Sequence, residues 1–215
     1  ILPAYRHSTV DTNSFPTIEQ GESNRASQNS LEVRLGNSGG GINWVIGGFY
    51  FTEKSDGFQT DRSGDLIQNV LLTYRPKTDA YALFGQSTFT IFDGLRLIAG
   101  ARYTTEKRRL DGALINQSPL TGGPGQELER FDSRASFDGF TYKGGLEYDV
   151  APNSLFYATV SSGFKAGGLN QTVAPLDVYQ PERLLAYEIG SKNRFFDNRL
   201  QLNLTAFRWA FKQLQ

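Results

Sequence analysis

The feature that most constrains this chain is a series of long segments whose side chains alternate in polarity from one residue to the next. In DGLRLIAGARYTTEK, Asp93 to Lys107, Leu95, Leu97, Ala99, Ala101 and Tyr103 fall on one face of an extended strand. Arg96, Ile98, Gly100, Arg102 and Thr104 fall on the other, because successive side chains of a strand point to opposite faces. Alternation and turn residues define eight such segments, at 27–36, 41–53, 78–91, 94–107, 137–150, 154–166, 183–195 and 199–212. Most exceed the common strand length of about 5 or 6 residues and suffice for a bilayer crossing, which needs about 9 to 11.

The links carry more information than the segments. GNSGGG after Leu35, Ile91 to Gly94, Val150 to Ser154 and Phe195 to Arg199 are tight, whereas Thr52 to Lys77, Arg108 to Ser136 and Gly167 to Glu182 are long. Short and long alternate without a break, as in outer-membrane barrels with brief turns on one side and long loops on the other. The expected fold is therefore all-β: an antiparallel meander forming a section of a large transmembrane β-barrel. As a piece it is an open sheet with two unpaired edges. Residues 1–26 read as a polar outer loop or partial strand, and 27–215 as the barrel section. Two places resist the pattern. DLIQNVLLTY, Asp65 to Tyr74, reads as a strand extension in preference to a short helix. After Leu200, Leu202, Leu204 and Ala206, apolar parity moves to Phe207, Trp209 and Phe211, which calls for a bulge or a snorkelling Arg208.

Composition narrows the function. The 22 Lys and Arg match the 22 Asp and Glu, so no basic surface points to nucleic acid. A negative mean hydropathy is compatible with a barrel wall, which is apolar only at every second residue. With no cysteine and a single histidine, His7, thiolate zinc sites and Ser–His or Cys–His chemistry lack material. No methionine occurs at all, so the chain reads as an internal piece of a longer one.

Which face meets lipid follows from cost. An Arg or Lys held at the bilayer midplane costs about 2–4 kcal/mol, and a few such errors would exhaust a typical stability of about 5–15 kcal/mol. Leu95, Leu97, Tyr103, Phe140, Tyr142, Leu146, Tyr148, Phe156, Ala158, Val160, Tyr187 and Ile189 are therefore expected outside. Arg96, Arg102, Lys143, Glu147, Tyr157, Lys165, Glu188 and Lys192 are expected inside. Phe92, Tyr148, Phe195 and Phe196 would form one aromatic rim, and Tyr50, Phe51, Tyr103, Phe140, Tyr142, Phe164, Trp209 and Phe211 would lie toward the other.

Ala80 to Arg109, Ser154 to Asn170 and Tyr179 to Phe207 resemble barrel strands of TonB-dependent outer-membrane receptors. The family pattern S-x-GF-x-x-G is carried by Ser161, Gly163, Phe164 and Gly167. It is followed by P-E at Pro181 and Glu182, then Y-E-x-G-x-K at Tyr187, Glu188, Gly190 and Lys192. The resemblance implies a 22-stranded barrel in the outer membrane of a Gram-negative bacterium, closed by a plug. It implies import of a scarce solute, most often an iron–siderophore complex, energised by the TonB complex. The plug, the TonB box and the remaining strands have no counterpart in this sequence. A passive porin and a soluble β-sandwich that binds carbohydrate are the alternative readings.

No catalytic or metal-binding set emerges, no cofactor is expected, and the chain does not read as an enzyme. Glu147 and Asp149 share a face, as an acid–base pair requires, but beside Lys143 they read as lumen carboxylates. The candidate solute contacts are Arg102, Lys107, Lys143, Lys165 and Glu182, at the outer rim of the lumen and in loops, because basic groups attract an anionic complex. Outer-membrane lipid, the TonB complex and an iron–siderophore are the expected partners.

Overall fold

The computed structural model describes residues 1–14, 18–63, 69–117, 125–170 and 178–214. Nine strands form one antiparallel meander: β1 (Leu2–Ser14), β2 (Ile18–Asn37), β3 (Ile42–Ser63), β4 (Asn69–Phe92), β5 (Leu95–Asn116), β6 (Gln126–Ala151), β7 (Ser154–Lys165), β10 (Glu182–Phe195) and β11 (Leu200–Lys212). A two-stranded ladder, β8 (Gly168–Leu169) with β9 (Val178–Tyr179), lies between β7 and β10. Strands adjacent in the chain pair with each other up to β7, then β7 pairs β10 and β10 pairs β11. The sheet stays open, with β1 and β11 as its edges.

Two of the expected long links are mostly strand. Thr52–Ser63 and Asn69–Lys77 continue β3 and β4, and Arg108–Asn116 and Gln126–Ser136 continue β5 and β6. Within Asp65 to Tyr74, Asn69–Tyr74 is strand, and residues 65–68 lie outside the described ones. Residues 2–14 form a strand paired to β2 in unbroken register, from Leu2 with Glu32 to Ser14 with Gln20. At the opposite end, Gly94 takes a left-handed φ of 85°, which lets Asp93 and Gly94 alone join β4 to β5.

Register sorts the side chains. Ile42, Phe89, Leu97, Leu146, Ala158, Ile189 and Ala206 stand directly abreast across β3, β4, β5, β6, β7, β10 and β11. Directly paired residues share a face, so all twelve side chains expected outside lie on one side of the sheet. On β6 the outward positions Phe140, Tyr142, Gly144, Leu146, Tyr148 and Val150 cover about 33 Å of strand. At barrel tilt that is about 25 Å of height, the thickness of a lipid-facing band.

That band has no protein cover. Nine apolar side chains are buried among the described residues, whereas 36 large ones stand exposed. A β-sandwich would bury this face against a second sheet, and the described strands offer none. The edge strand settles the parity question. β11 pairs with β10 without a shift from Arg183–Lys212 to Phe195–Leu200, so no bulge intervenes. Arg208, opposite Tyr187, lies on the apolar face, and Phe207, Trp209 and Phe211 lie on the other. The register likewise moves Phe51, opposite Ala80, out of the outward aromatic rim.

Inward, bulky rings lie flat over glycines on neighbouring strands. A Cβ at Gly47, Gly57, Gly112 or Gly190 would come within 2.5, 2.5, 2.6 and 2.7 Å of Phe84, Tyr74, Phe131 and Tyr157, each the direct cross-strand partner. Ring-over-glycine contact fills the concave side and fixes register. Tyr74, Leu110 and Phe131 form the most enclosed cluster, with Leu72 and Leu169 of β8 against it, so the β7–β10 connection folds over the upper inner wall. Burial first, then its hydrogen bond to Glu22 (3.0 Å), pushes the Tyr74 hydroxyl up to about 12.

Single spin labels at Leu97 and Arg96 of the reconstituted complete receptor test the assignment of faces. Oxygen is expected to relax the Leu97 label and a polar nickel chelate the Arg96 label, and the opposite pairing would reverse inside and outside.

Candidate functional site

The inward wall is layered by charge. Nearest the short turns, the Arg96 guanidinium donates through Nη1 and Nη2 to Asp149 (2.6 and 2.9 Å) and through Nε to Glu147 (3.0 Å). A guanidinium matches carboxylate oxygens two at a time. Glu147 and Asp149 are thus tied to Arg96 across the β5–β6 ladder, and Lys143 is not their partner.

The family pattern on β10 closes around one ring. Tyr157 of β7 lies over Gly190, its hydroxyl donates to Glu188 Oε1 (2.7 Å) and sits 3.0 Å from Thr205 Oγ1, and Lys192 Nζ stands 5.5 Å from its centroid. Glu188, Gly190 and Lys192 therefore form a socket for Tyr157, while Tyr187 points outward and is exposed. The pattern on β7 has a comparable packing role. The Phe164 ring takes the space that a side chain at Gly139 would occupy, and the Phe137 ring approaches Gly167 in the same way. The Ser162 hydroxyl accepts the Tyr142 N–H (2.8 Å) where the β6–β7 ladder ends at Lys143 and Ser161. These contacts turn the chain from β7 into the inward-folded β8. A Cβ at Gly163 would come within 3.2 Å of Leu184 Cβ, a tight approach, and Pro181 directly precedes β10, which starts at Glu182.

Above this layer lies a recess of ≈ 410 Å³ lined by Phe84, Gln86, Gly100, Arg102, Thr141 and Lys143, among others. Arg102 stands 5.5 and 5.6 Å from the centroids of Phe49 and Phe84, and its Nε donates to Thr104 Oγ1 (3.0 Å). Lys143 lies opposite Gly100 and Ser161. Neither cation has a carboxylate at ion-pair distance among the described residues. Two cations that line one recess without a carboxylate partner among the described residues can receive an anion. A larger groove of ≈ 570 Å³, bordered by Leu97, Leu146, Ala158, Val160 and Ile189, belongs to the apolar face and is hydrocarbon contact.

The other expected contacts divide. Lys165 and Glu182 are direct partners at the rim of the β7–β10 ladder, and Lys165 borders a second recess with Asn170, Tyr179 and Gln180. Lys107 does not join them. It pairs with Asp79 and Ser136 and shares the parity of Tyr103, so it stands on the outward face. Phe49, Phe84 and Tyr74 were not singled out by sequence, although an aromatic opposite a glycine in register is a signal that would have found Phe84 and Tyr74.

This geometry, a single curved sheet with an apolar outside and a charged inside, defines a section of an outer-membrane barrel. Residues 3–214 match the family described as TonB dependent receptor-like, beta-barrel, and the chain belongs to that family. It is 30% identical over 154 residues to the ferric-pyoverdine 358 receptor of Pseudomonas putida, a match covering 69% of this chain and 17% of that receptor. Its fold resembles the ferric yersiniabactin uptake receptor FyuA from Yersinia pestis (TM-score 0.83, 16% identity, 98% of this chain, 32% of that one). The alcaligin outer-membrane receptor FauA from Bordetella pertussis is also similar (TM-score 0.65, 15% identity, 99% and 34%). The chain thus spans about a third of these solved receptors and a sixth of the curated relative.

A double-mutant cycle on Tyr157→Phe and Glu188→Gln should return a coupling of about 1–3 kcal/mol in detergent-solubilised receptor. Additive losses would mean that the socket does not depend on this hydrogen bond.

Proposed function

We propose that these strands form part of the wall of an active importer for a ferric siderophore, with TonB supplying the energy through a plug elsewhere in the complete receptor. The observation that carries this reading is the Arg102–Lys143 recess on the inward wall, cationic and unneutralised among the described residues. The ferric-siderophore names of the relatives support it, as does the family itself. Transport by this wall needs no catalytic group: Arg102 and Lys143 attract and orient the anionic complex, while the rings beneath and beside Arg102 keep its guanidinium extended. The outer membrane of a Gram-negative cell is the proposed location, with outer-membrane lipid against the apolar band. Lys165 and Glu182 belong to the mouth above the recess.

Ferric pyoverdine is the first cargo to test. A charge-assisted hydrogen bond is worth about 1.5–3 kcal/mol, so Arg102→Gln with Lys143→Gln should weaken binding to the complete receptor by about tenfold or more. Uptake of radiolabelled iron should vanish in cells without TonB. Unchanged affinity in the double variant would remove the recess from the site, and TonB-independent uptake would make the barrel a passive one.

A further inference from the structure

The register places four cations abreast on the outward face. Lys54 is opposite Lys77, Lys77 opposite Arg109, and Arg109 opposite Arg134, on consecutive strands β3 to β6 spaced by about 4.8 Å. Each sits four residues beyond the row of Tyr50, Tyr81, Thr105 and Asp138, about 13 Å along the strand and about 10 Å higher at barrel tilt. That is the headgroup level above the lipid-facing band.

Like charges directly opposite one another destabilise a sheet, so the row needs counter-charge, and the described residues of these strands supply it only in part. Lys77 has Asp79 (2.6 Å), while Arg109 (2.9 Å) and Arg134 (3.2 Å) share Asp132. Asp111 lies 3.8 Å from Arg109 and 3.9 Å from Arg75. Lys54 and Lys107 have no carboxylate at ion-pair distance among the described residues. Across the three outward rows from Thr52–Ser136 up to Asp56–Asp132, Lys54, Arg75, Lys77, Lys107, Arg109 and Arg134 face four carboxylates, Asp56, Asp79, Asp111 and Asp132.

A second observation lies below the row on the same strands. A groove of ≈ 490 Å³ runs down the outward face between Leu31, Val33, Tyr50, Tyr81, Leu83 and Tyr103, almost wholly apolar in its lining. Gly48 leaves it open in the middle, and Tyr50 and Tyr81, 5.1 Å apart, stand at its head. Cations above an acyl-sized apolar groove are complementary to one kind of molecule: an amphiphile with a phosphate head and hydrocarbon chains.

We propose that the Lys54–Lys77–Arg109–Arg134 row and the groove beneath it form a docking site for a phosphorylated lipid of the outer leaflet. Its phosphates lie on the row, and an acyl chain lies between Tyr81 and Leu83 on one side and Leu31 and Val33 on the other. Arginine and lysine hold phosphate oxygens through charge-assisted hydrogen bonds, and basic clusters beside a membrane select anionic lipid. The lipid supplies the counter-charge that the sheet lacks. This inference rests on the reading that the apolar face meets lipid.

Native mass spectrometry of the complete receptor in detergent, titrated with diphosphoryl lipid A or with the same lipid stripped of phosphate, tests it. The phosphorylated lipid should be retained at least tenfold more tightly, and Lys77→Gln with Arg109→Gln should abolish that preference. Asp132→Asn, which frees Arg109 and Arg134, should strengthen retention, so the test survives if the double variant fails to fold. Equal retention of the two lipids, or no response to either variant, would overturn the proposal. Displacement by inorganic phosphate at the lipid's own concentration would overturn the lipid assignment in favour of a free anion. Oxygen access at Leu97 reports lipid embedding independently, so loss of phosphate preference with embedding intact counts against this site alone.

Discussion

Everything in this structure follows from one constraint: a single-layered sheet must find a different solvent for each of its faces. The row from Ile42 to Ala206 is apolar across seven strands and uncovered, while at that height β4, β5, β6, β7 and β10 each pair with a neighbour on both sides. In hydrocarbon, where an unpaired backbone group costs several kcal/mol, only a closed ladder with its greasy side outward satisfies both demands. The open edges at β1 and β11 then require further strands to complete the ring, in keeping with a chain that spans about a third of the solved receptors.

The inward face solves a different problem. A wall one strand thick has no core to hold its register, and period-two alternation tolerates no slip, since one residue of shift exchanges the two faces. The rings of Phe84, Tyr74, Phe131 and Tyr157, each laid over the glycine directly opposite, act as pegs against such a slip. A side chain at any of those glycines would collide with the ring, and a shifted register would leave the ring without its seat. The ion network of Arg96 with Glu147 and Asp149 adds directional bonds nearest the short turns, beside Tyr157. The motif residues of β7 and β10 thus serve the wall itself, whereas Arg102 and Lys143 have no carboxylate at ion-pair distance among the described residues.

The parts of the fold legible in sequence were those where the two faces meet different media. Within the lipid-facing band, polarity alternates because one side meets hydrocarbon and the other water, and Leu95 to Tyr103 or Phe140 to Tyr148 can be assigned by inspection. Beyond the band both faces are wet, the alternation loses its meaning, and strand looks like loop. For that reason Thr52–Ser63 and Arg108–Asn116 read as links although they continue β3 and β5. Residues 2–14 were obscure for the same reason. On β11 the sequence misleads in another way: Phe207, Trp209 and Phe211 are the larger apolar residues, yet the unbroken β10–β11 register puts them inward and sets Arg208 on the apolar face opposite Tyr187. Lys107 was assigned to the lumen by its charge alone, and only register with Asp79 and Ser136 shows it standing outside.

Position along a strand and parity together decide what a cation does in such a wall. Arg102 and Arg109 are seven residues apart on β5, an odd number, so they face opposite ways. Arg102 lies within the height of the apolar band, and its even count places its charge on the inward face. Arg109 lies above the band, where outward charge is cheap, and there it joins the row of Lys54, Lys77 and Arg134. The same residue type is thereby assigned to the inner or the outer face, and to a height, by two coordinates that the chain encodes in the simplest way, an odd or even count from the turn at Gly94 and a distance from it. A single inserted residue between Gly94 and Arg102 would carry both guanidinium groups to the opposite face, which is why the tight turn and the ring-over-glycine pegs matter to the placing of charge as much as to folding.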